Sequence, residues 1–271
     1  MAIGAHVWRL RGRIVGTERV VTGAAVGALR AGGALSTRGR ARLRALHLRE
    51  LALGPAERAR IPVGRARVEL GGAESFPVDW RAFVEVLAEQ PYRTDFTGAV
   101  VLDVGAHKGY FGAYALERGA LRVLSVEPEA ANFAALARAA ERLRPRWRVR
   151  NAAVAEEAGT GTLRLAATSW AHSLAPIRDA VGEQPVELVT LGQLLDELDA
   201  DSEQTIVKVD AEGGECEIVA DAATIGRIDE LMVEWHSETA SCTVDELVRR
   251  VVEAGLVQQP AAGVLHFARP T

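Results

Sequence analysis

Short apolar segments alternate with helical patterns from residue 99 to residue 267, and this alternation constrains the fold more than any other feature of the chain. Apolar runs of about four to eight residues are typical of buried strands, and longer periodic segments are typical of helices. A strand, a helix and a parallel strand join by a right-handed crossover, so repeated units build a parallel sheet with helices on both faces. The pattern therefore predicts an α/β fold with a mainly parallel sheet.

The elements of this predicted sheet follow from the boundaries of the segments. Its strands are expected at residues 99–104, 122–126, 147–151, 205–209 and 231–235. The helices between and after them are expected at residues 110–118, 130–143, 191–198, 215–221 and 244–254. Two further runs, 162–166 and 186–189, are expected to pair as an antiparallel edge, and a last run, 264–268, is expected to close the sheet.

Proline and glycine punctuate the region that precedes the sheet, from residue 54 onward. This region is therefore expected to be loop with one strand at 66–70. A helix is expected to follow at 79–88, with Asp79 as its N-cap. These features divide the chain into two parts, a helical N-terminal extension at residues 1–78 and a larger domain at residues 79–271.

Charge is distributed unevenly along the chain. Residues 1–70 contain 14 arginines and four acids, which gives +10, whereas the remainder carries −14. Within the basic part, residues 37–53 have leucines near helical spacing, and a basic helix that faces solvent or a partner is the preferred interpretation. Contact with an anionic membrane surface or a polyanion is the alternative, and the extension is also a candidate for homo-oligomer contacts. The acidic remainder argues against nucleic acid as a partner.

Neither a membrane span nor a disulfide is expected. The least polar early segment, residues 20–35, contains Arg30 and is too short and too weakly apolar to cross a bilayer. Two cysteines, Cys216 and Cys242, are too few for a metal cluster or a disulfide framework. Cys216 is expected to be a small buried apolar side chain, and a reducing cytoplasm is the expected location.

The segment VVLDVGAHKGYFG, residues 100–112, carries the strongest chemical pattern. A buried strand ends near Asp103, Gly105 permits a sharp turn, and Gly109 lets the next helix begin close to a ligand above the strand ends. Glu127 ends the second strand, 22 residues after Gly105, where Rossmann-like units place the carboxylate that binds a ribose. Strand, turn, helix, strand and acid together predict a nucleoside ligand. The turn lacks the Gly-x-Gly-x-x-Gly of dinucleotide-binding proteins, which argues against a nicotinamide cofactor.

Six segments follow one another in unbroken order between residues 100 and 236: DVGAHKGYFG, VEPEAANFAAL, NAAVAEEAGTGTLRL, VTLGQLLDEL, VKVDAEGGECEIV and LMVEWH. In this order they resemble the FkbM family of S-adenosylmethionine-dependent methyltransferases, and VKVDAEGGE followed by VEWH is the most particular part. The resemblance implies a class I methyltransferase fold. This fold has a seven-stranded, mainly parallel sheet with helices on both faces, and its first strand lies between the second and the fourth.

The resemblance places S-adenosylmethionine at the carboxyl ends of the first three strands. The implied contacts are Asp103, Gly105, Ala106 and Gly109 with the amino-acid and sulfonium end, Glu127 with the ribose, and Asn151 and Ala152 with the adenine. Pro128, which follows Glu127 and orients the loop, is included among the cofactor residues. His107 stands where the family more often has Asn. Its imidazole can still donate a hydrogen bond to a carboxylate, so it is retained as a cofactor residue.

Methyl transfer to a hydroxyl requires an aligned acceptor and a group that removes its proton. Two strand ends, expected to be neighbours, carry the candidates Lys208 and Asp210 on one strand and Glu234 and His236 on the next. His236 is the preferred general base because an imidazole titrates near neutral pH. His172, in the polar stretch TSWAHSLAP, is a further candidate. An ion-pair network that holds the sheet end together is the alternative explanation.

A hard divalent ion is a second way to activate the hydroxyl. The candidate ligands are Asp210, Glu212, Glu234 and His236, and their oxygen-rich set suits Mg²⁺ or Mn²⁺. The sequence thus predicts O-methylation of a small molecule, with a sugar, glycoside or oligosaccharide as the favoured acceptor. A nicotinamide-dependent oxidoreductase and a non-catalytic cofactor-binding or scaffold protein are the alternatives.

Overall fold

The structure is a computed structural model that describes residues 35, 37–53, 58–71, 76–199 and 203–270. Its helices are α1 Thr37–Leu53, α2 Phe76–Val84, α3 Tyr110–Glu117, α4 Ala130–Ala140, α5 Leu191–Leu198, α6 Glu215–Ile218, α7 Ala222–Ile225 and α8 Val244–Glu253. A π-helical turn, Glu85–Glu89, extends α2, and a 3₁₀ turn, Glu141–Leu143, follows α4. The weakly apolar segment at residues 20–34 lies outside the described residues.

The described residues contain twelve strands. They are β1 Arg58–Val63, β2 Ala66–Gly71, β3 Val100–Val104, β4 Arg122–Val126, β5 Trp147–Arg150, β6 Ala153–Val154, β7 Gly159–Leu165, β8 Gly182–Val189, β9 Thr205–Val209, β10 Glu230–Val233, β11 Val257–Gln259 and β12 Leu265–Ala268.

The main sheet has seven strands in the order β11-β12-β10-β9-β3-β4-β5. Its first strand, β3, pairs in parallel with β4 on one side and with β9 on the other. This arrangement confirms the class I methyltransferase fold, with helices that cover the sheet. β12 does not close the sheet as expected, because it runs antiparallel between β10 and β11 and leaves β11 at the edge.

Two expected strands form a separate sheet. β7 and β8 pair antiparallel, as expected, but they join β6 in a three-stranded sheet and are not an edge of the main sheet. β6 is only two residues long and pairs in parallel with the end of β8. The small sheet therefore lies beside the carboxyl end of β5. From there the segment between β7 and β8 can reach the carboxyl ends of the main-sheet strands.

The central strands are buried along their whole length. Every residue of β3 and β9 is buried, which explains why both read as continuous apolar runs. Each strand nevertheless contains a charged residue, Asp103 in β3 and Lys208 in β9, and these two residues are register partners. A buried charge is tolerated when an opposite charge and hydrogen bonds compensate it, and these two opposite charges lie on neighbouring strands in the middle of the main sheet.

The N-terminal region contains a hairpin where a single strand was expected. β1 and β2 pair antiparallel around Gly64, whose φ of 54° suits the tight turn. Pro62 obscures β1 in the sequence, because proline is confined to edge positions of sheets. Leu43 and Leu46 of α1 pack into the same hydrophobic cluster as the inward face of the hairpin.

α2 begins earlier than expected. Asp79 was expected to cap the helix, but the helix starts at Phe76 and Asp79 lies inside it with no exposed surface. Its carboxylate accepts a hydrogen bond from Lys108 Nζ at 2.6 Å. The acid therefore neutralises a buried lysine of the β3–α3 loop, which explains its burial.

The two cysteines form a disulfide, contrary to expectation. Cys216 and Cys242 are 26 residues apart, and their Cα atoms lie 6.0 Å apart. Cysteine spacing alone could not reveal this pair, because the fold brings the start of α6 beside the segment that precedes α8. The expectation of reduced cysteines, on which the cytoplasmic location rested, is therefore wrong for this structure. Among the described residues, no helix is long and apolar enough to cross a membrane.

Reduction of the Cys216–Cys242 disulfide is expected to lower the free energy of unfolding by about 3 kcal/mol, because a closed loop of this length restricts the unfolded chain. Urea unfolding with and without a phosphine reductant measures the change. Cys242→Ser should show the same loss and no further response to reductant. A parent protein whose stability does not respond to reductant would contradict the bond.

Candidate active site

A cavity of about 730 Å³ lies at the carboxyl ends of β3, β4, β9 and β10. Open α/β sheets bind ligands at this edge, and the volume is within the usual range for small-molecule sites. Its wall includes the loops after β3 and β4, the ionisable side chains after β9 and β10, and a segment from α2 to Tyr92. β6 and the segment between β7 and β8 complete the wall. The fold thus brings the expected cofactor loop and the expected catalytic residues into one space.

The β3–α3 loop owes its shape to glycine. Gly105 has a φ of 72°, and the amides of Gly105 and Ala106 both donate to the carbonyl of Val126 at 3.1 and 3.0 Å. Gly105, Ala106 and His107 line the cavity. Gly109 has a φ of 87° and precedes the first residue of α3, where its Cα faces the ring of Trp147. Gly109 therefore permits close packing below the loop and is not part of the cavity wall.

Glu127 lies at the end of β4 and is held by the backbone. Its Oε2 accepts the amide of His107 at 2.8 Å, and its Oε1 accepts the amide of Glu129 at 2.9 Å. Burial raises the pKa of Glu127 to about 8, although these two amides oppose the shift. The fixed carboxylate faces the cavity, as a group that accepts hydrogen bonds from ribose hydroxyls must do.

Two other expected cofactor residues support the wall without forming it. Asp103 is fully buried beneath the loop, where its Oδ2 accepts from Ser125 Oγ at 2.8 Å. Asn151 donates to the carbonyls of Glu127 and Pro128 at 2.8 and 3.0 Å, so its amide holds the β4–α4 loop. Both side chains were expected to face the cofactor, and both are instead used in hydrogen bonds that shape the loops. Pro128 lies on the cavity wall.

The adenine end of the expected cofactor site is apolar. Ala152 is buried and lies on the cavity wall, as expected. The next two residues, Ala153 and Val154, form β6 and also line the cavity. These small and branched side chains make this part of the cavity wall apolar.

Lys208 joins β9 to the β3–α3 loop. Its ammonium donates to the carbonyls of Gly105 and Val104 at 2.7 and 3.2 Å. It also forms ion pairs with Asp210 at 3.2 Å and Asp103 at 3.5 Å. Burial lowers the pKa of Lys208, but the charges of the two aspartates outweigh burial and raise the pKa above its ordinary value. The lysine is therefore charged, and its contacts hold the two central strand ends together.

Glu234, after β10, is paired with a tyrosine that the sequence did not indicate. Tyr92 is buried, and its hydroxyl donates to Glu234 Oε2 at 2.6 Å. Burial raises the pKa of Glu234 to about 7 and the charge of Asp210 adds to the shift, while the Tyr92 hydrogen bond opposes it. Tyr92 lies in a loop 142 residues before Glu234, without a local motif to mark it.

His236 is surrounded by carboxylates. Its Nδ1 lies 2.8 Å from Glu215 Oε1, and its Nε2 lies 3.5 Å from Glu212 and 3.8 Å from Asp210. Burial lowers the pKa of His236, but the Glu215 hydrogen bond and the charges of Glu212 and Asp210 outweigh burial and raise the pKa to about 10. The ring is therefore an imidazolium near neutral pH. This reverses the reason for which His236 was preferred as the general base.

Three of the four expected metal ligands lie close together. Asp210, Glu212 and His236 each offer one ligand atom, and these atoms lie within 4.8 Å of one another. Such a group can hold a divalent ion. Glu234 stands apart from this group because its carboxylate is engaged by Tyr92. The Lys208 ammonium beside Asp210 opposes a second cation at the same place.

A segment between β7 and β8 crosses the cavity and includes Trp170 and His172 on its wall. Two serines anchor it: Ser169 Oγ lies 3.0 Å from His107 Nε2, and Ser173 Oγ donates to the carbonyl of Glu212 at 2.7 Å. His172 Nδ1 accepts the amide of Ala166 at 3.0 Å, so this nitrogen is occupied. Burial lowers the pKa of His172, which keeps the ring neutral.

Three buried side chains that contact the cavity loops escaped the sequence-based prediction of the site. Asp79 and Tyr92 come from the region before β3, and Glu215 starts α6. Each is buried and contacts an ionisable residue of the cavity loops. A buried acid cannot be told from a solvated one by residue type, so only the folded chain identifies these contacts.

Comparison with known proteins gives one family match. A protein-family model described as "Methyltransferase FkbM domain" matches residues 103–251, which is more than half of the chain. No curated protein sequence matches.

Solved structures of methyltransferases are also similar. Methyltransferase FkbM from Methylobacillus flagellatus is 16% identical over 73% of this chain and 56% of that chain, with a TM-score of 0.43. The M1A22 tRNA methyltransferase TrmK of B. subtilis is 14% identical over 67% and 64%, with a TM-score of 0.38. A precorrin-6y C5,15-methyltransferase from Geobacter metallireducens is 13% identical over 68% and 89%, with a TM-score of 0.37. The chain thus spans 56% and 64% of the lengths of the first two.

Proposed function

The chain belongs to the FkbM methyltransferase family, and we propose that it transfers the methyl group of S-adenosylmethionine to a hydroxyl of a small molecule, with a sugar or glycoside as the acceptor. Membership of this family replaces the nicotinamide-dependent alternative. One observation carries the proposal of a hydroxyl acceptor. The cavity that holds the cofactor loop also holds the carboxylates of Asp210, Glu212 and Glu234, groups suited to proton removal.

In this proposal the cofactor occupies the side of the cavity next to the carboxyl ends of β3 and β4 and next to β6. Gly105, Ala106 and His107 contact its amino-acid and sulfonium end, and Glu127 accepts hydrogen bonds from both ribose hydroxyls. Pro128 and Ala152 contact the adenine. Support comes from the position of these residues on one continuous wall and from the two amides that fix the Glu127 carboxylate. Residues 79–271 form the methyltransferase domain in this assignment.

The acceptor occupies the side of the cavity next to the carboxyl ends of β9 and β10. Methyl transfer is an in-line displacement, in which an oxygen–methyl bond would form as the sulfur–methyl bond breaks and S-adenosylhomocysteine leaves. The hydroxyl oxygen must therefore face the sulfonium and give up its proton to a base. We assign the proton to a carboxylate, Glu234 or Asp210, because His236 is enclosed by three carboxylates and retains its own proton. Alternatively, Asp210, Glu212 and His236 hold a divalent ion, which would lower the pKa of the hydroxyl.

A neutral, hydroxyl-rich acceptor suits this side better than an anionic one. The wall carries the acids Glu85, Glu89, Asp210, Glu212 and Glu234. Its cations Arg81, Lys208 and His236 are already paired with some of these acids. Carboxylates accept hydrogen bonds from sugar hydroxyls and repel phosphate. Trp170 adds an aromatic surface on which a sugar ring can stack. These features support a glycoside and argue against nucleic acid.

Incubation with methyl-labelled S-adenosylmethionine and a panel of neutral glycosides, amino sugars and tRNA tests the proposal. Label is expected in a glycoside as an ether that survives mild alkali. Label in tRNA alone would overturn the acceptor class. Absence of cofactor binding at high micromolar concentration in calorimetry would overturn the cofactor assignment itself.

Glu127→Gln is expected to raise the dissociation constant for S-adenosylhomocysteine about 30-fold, because hydrogen bonds to a charged group contribute about 2 kcal/mol. The parent should also bind more tightly as the pH rises from 6.5 to 9. In the free protein burial holds the pKa of Glu127 at about 8, and the ribose hydroxyls prefer the ionised carboxylate. The variant should lose this pH dependence. Calorimetric titrations at several pH values measure both effects.

Glu187→Gln is the matched control, because Glu187 is exposed and pairs with Arg150 away from the cavity. It should leave affinity and pH dependence unchanged. Equal losses in the two variants, or a parent affinity that falls with rising pH, would contradict the ribose role of Glu127.

A further inference from the structure

A buried carboxylate behind the cavity wall contacts the ring of His236. Glu215 is the first residue of α6 and has no exposed surface. Its Oε1 lies 2.8 Å from His236 Nδ1, and the same oxygen accepts the amides of Gly213 at 3.0 Å and Ala211 at 3.3 Å. One oxygen thus connects the turn after β9 to the turn after β10.

The contact at Nδ1 determines the direction in which the other ring nitrogen, Nε2, points. A carboxylate can only accept at this position, so His236 must keep a proton on Nδ1. Nε2 is then directed to the opposite side, where Glu212 and Asp210 lie 3.5 and 3.8 Å away. A carboxylate behind a histidine fixes the ring orientation in this way in many functional sites.

The two turns are packed so that the contact has little freedom. Glu212 has a φ of 50° and Gly213 a φ of 112°, and a Cβ on Gly213 would lie 2.6 Å from Thr239. The amide of Thr239 donates to the carbonyl of His236 at 3.1 Å, which closes the second turn. The disulfide at Cys216, the residue after Glu215, ties α6 to the end of that turn. The backbone on both sides of the Glu215–His236 contact is therefore constrained.

We propose that Glu215 is a positioning residue of the acceptor site, which sets the orientation and the Nδ1 proton of His236 so that Nε2 faces Asp210 and Glu212. The proposal rests on the proposed function for its catalytic consequence. Its structural content, the hydrogen bond and the ring orientation, is independent of which acceptor is methylated. The competing explanation is that Glu215 only accepts the amides of Ala211 and Gly213 and stabilises the turn.

Proton NMR of the imidazole N–H region separates the two explanations without any acceptor. The parent should show a downfield, slowly exchanging Nδ1–H resonance of His236, identified by its loss in His236→Gln. Glu215→Ala should lose this resonance, and Glu215→Gln, which keeps an acceptor oxygen, should retain it at a shifted position. Glu217→Ala, on the same short helix, is the control and should leave the resonance unchanged. A resonance that persists in Glu215→Ala would overturn the proposal.

Binding and turnover measurements then test the consequence. Glu215→Ala should bind S-adenosylhomocysteine within twofold of the parent, because the cofactor wall is untouched. Methyl transfer to a glycoside identified in the panel should fall about 10- to 100-fold in kcat, as expected when the group that orients a functional histidine is removed. Glu215→Gln should recover part of this loss. Unchanged kcat in Glu215→Ala would overturn the positioning role, whereas a panel without any product would count against the proposed function alone.

Discussion

Lys208→Met is expected to lower the free energy of unfolding by about 4 kcal/mol, because it removes one partner of a buried ion pair and leaves the other uncompensated. Asp103, fully buried, would keep only the hydrogen bond from Ser125. The carbonyl of Gly105 would lose the Lys208 donor as well, whereas the carbonyl of Val104 would keep the amide of Asp210. Urea unfolding monitored by circular dichroism measures the loss.

The loss in Lys208→Met should grow with pH. Burial raises the pKa of Asp103 and the Lys208 charge opposes this shift, so removal of the lysine raises the pKa further. A group whose pKa is raised in the folded state takes up a proton on folding, and the variant should therefore be less stable at pH 8 than at pH 5. Lys208→Met combined with Asp103→Asn should recover much of the stability, because it removes the unpaired charge.

Arg249→Met provides the comparison for an ordinary ion pair. Arg249 pairs with Glu253 one turn along α8, and both side chains are more than half exposed. Its removal should change stability by less than about 0.5 kcal/mol. Lys208→Arg tests whether a positive charge alone maintains the stability, because the larger guanidinium must fit a site that holds a compact ammonium. A Lys208→Met variant as stable as Arg249→Met would contradict the central role of the lysine.

The alternation of strands and helices was predictable because it depends on local sequence patterns. β3 and β9 are largely apolar runs between helical patterns, which predict a parallel sheet with right-handed crossovers. The position of β3 between β4 and β9 is what the resemblance to the family implied. The elements that were missed or misplaced lack such patterns. Pro62 argued against a strand at β1 in the sequence. β12 was expected at the edge of the sheet, but it pairs antiparallel with β10 on one side and with β11 on the other. Which strands pair depends on where distant segments meet in the folded chain, and the sequence of a single segment does not specify this.

The positions of the glycine loop after β3 and the acid after β4 were easier to predict from the sequence than the contacts of the ionisable residues after β9 and β10. Gly105 and Glu127 sit at the ends of adjacent strands, so topology alone brings them together. Glu215 and Tyr92 reach the acceptor side from elements whose placement depends on packing. The charge state of His236 depends on these long-range contacts, so a preference based on the ordinary pKa of histidine was reversed by the folded structure.

The separation of the two sides has a chemical consequence. The cofactor side is shaped mainly by backbone groups, because Gly105 and Ala106 contribute amides and Glu127 is held by amides. The acceptor side is shaped by side chains that hold one another through charge. Substitutions on the first side should therefore change cofactor affinity, while those on the second should change turnover and pH dependence.

Gly105→Ala is expected to lower the free energy of unfolding by about 4 kcal/mol and to abolish cofactor binding. A φ of 72° costs about 1 kcal/mol or more for a residue with a Cβ. The added Cβ would also overlap the backbone carbonyl of Asp210, which belongs to the neighbouring strand end. Backbone cannot rotate away as a side chain can, so β3 and β9 must separate and the Lys208 contacts must lengthen. Urea unfolding and titration with S-adenosylhomocysteine measure the two effects.

Gly98→Ala isolates the backbone contribution, because Gly98 has nearly the same φ, 76°, and a Cβ there would meet no atom within 4 Å. It should cost only about 1 kcal/mol and leave cofactor affinity unchanged. The difference between the two variants measures the close approach of the β3–α3 loop to the Asp210 carbonyl. Equal losses would mean that the left-handed backbone alone demands glycine at 105. A variant of Gly105 that still binds cofactor would show that the two strand ends can move apart without disturbing the cofactor wall.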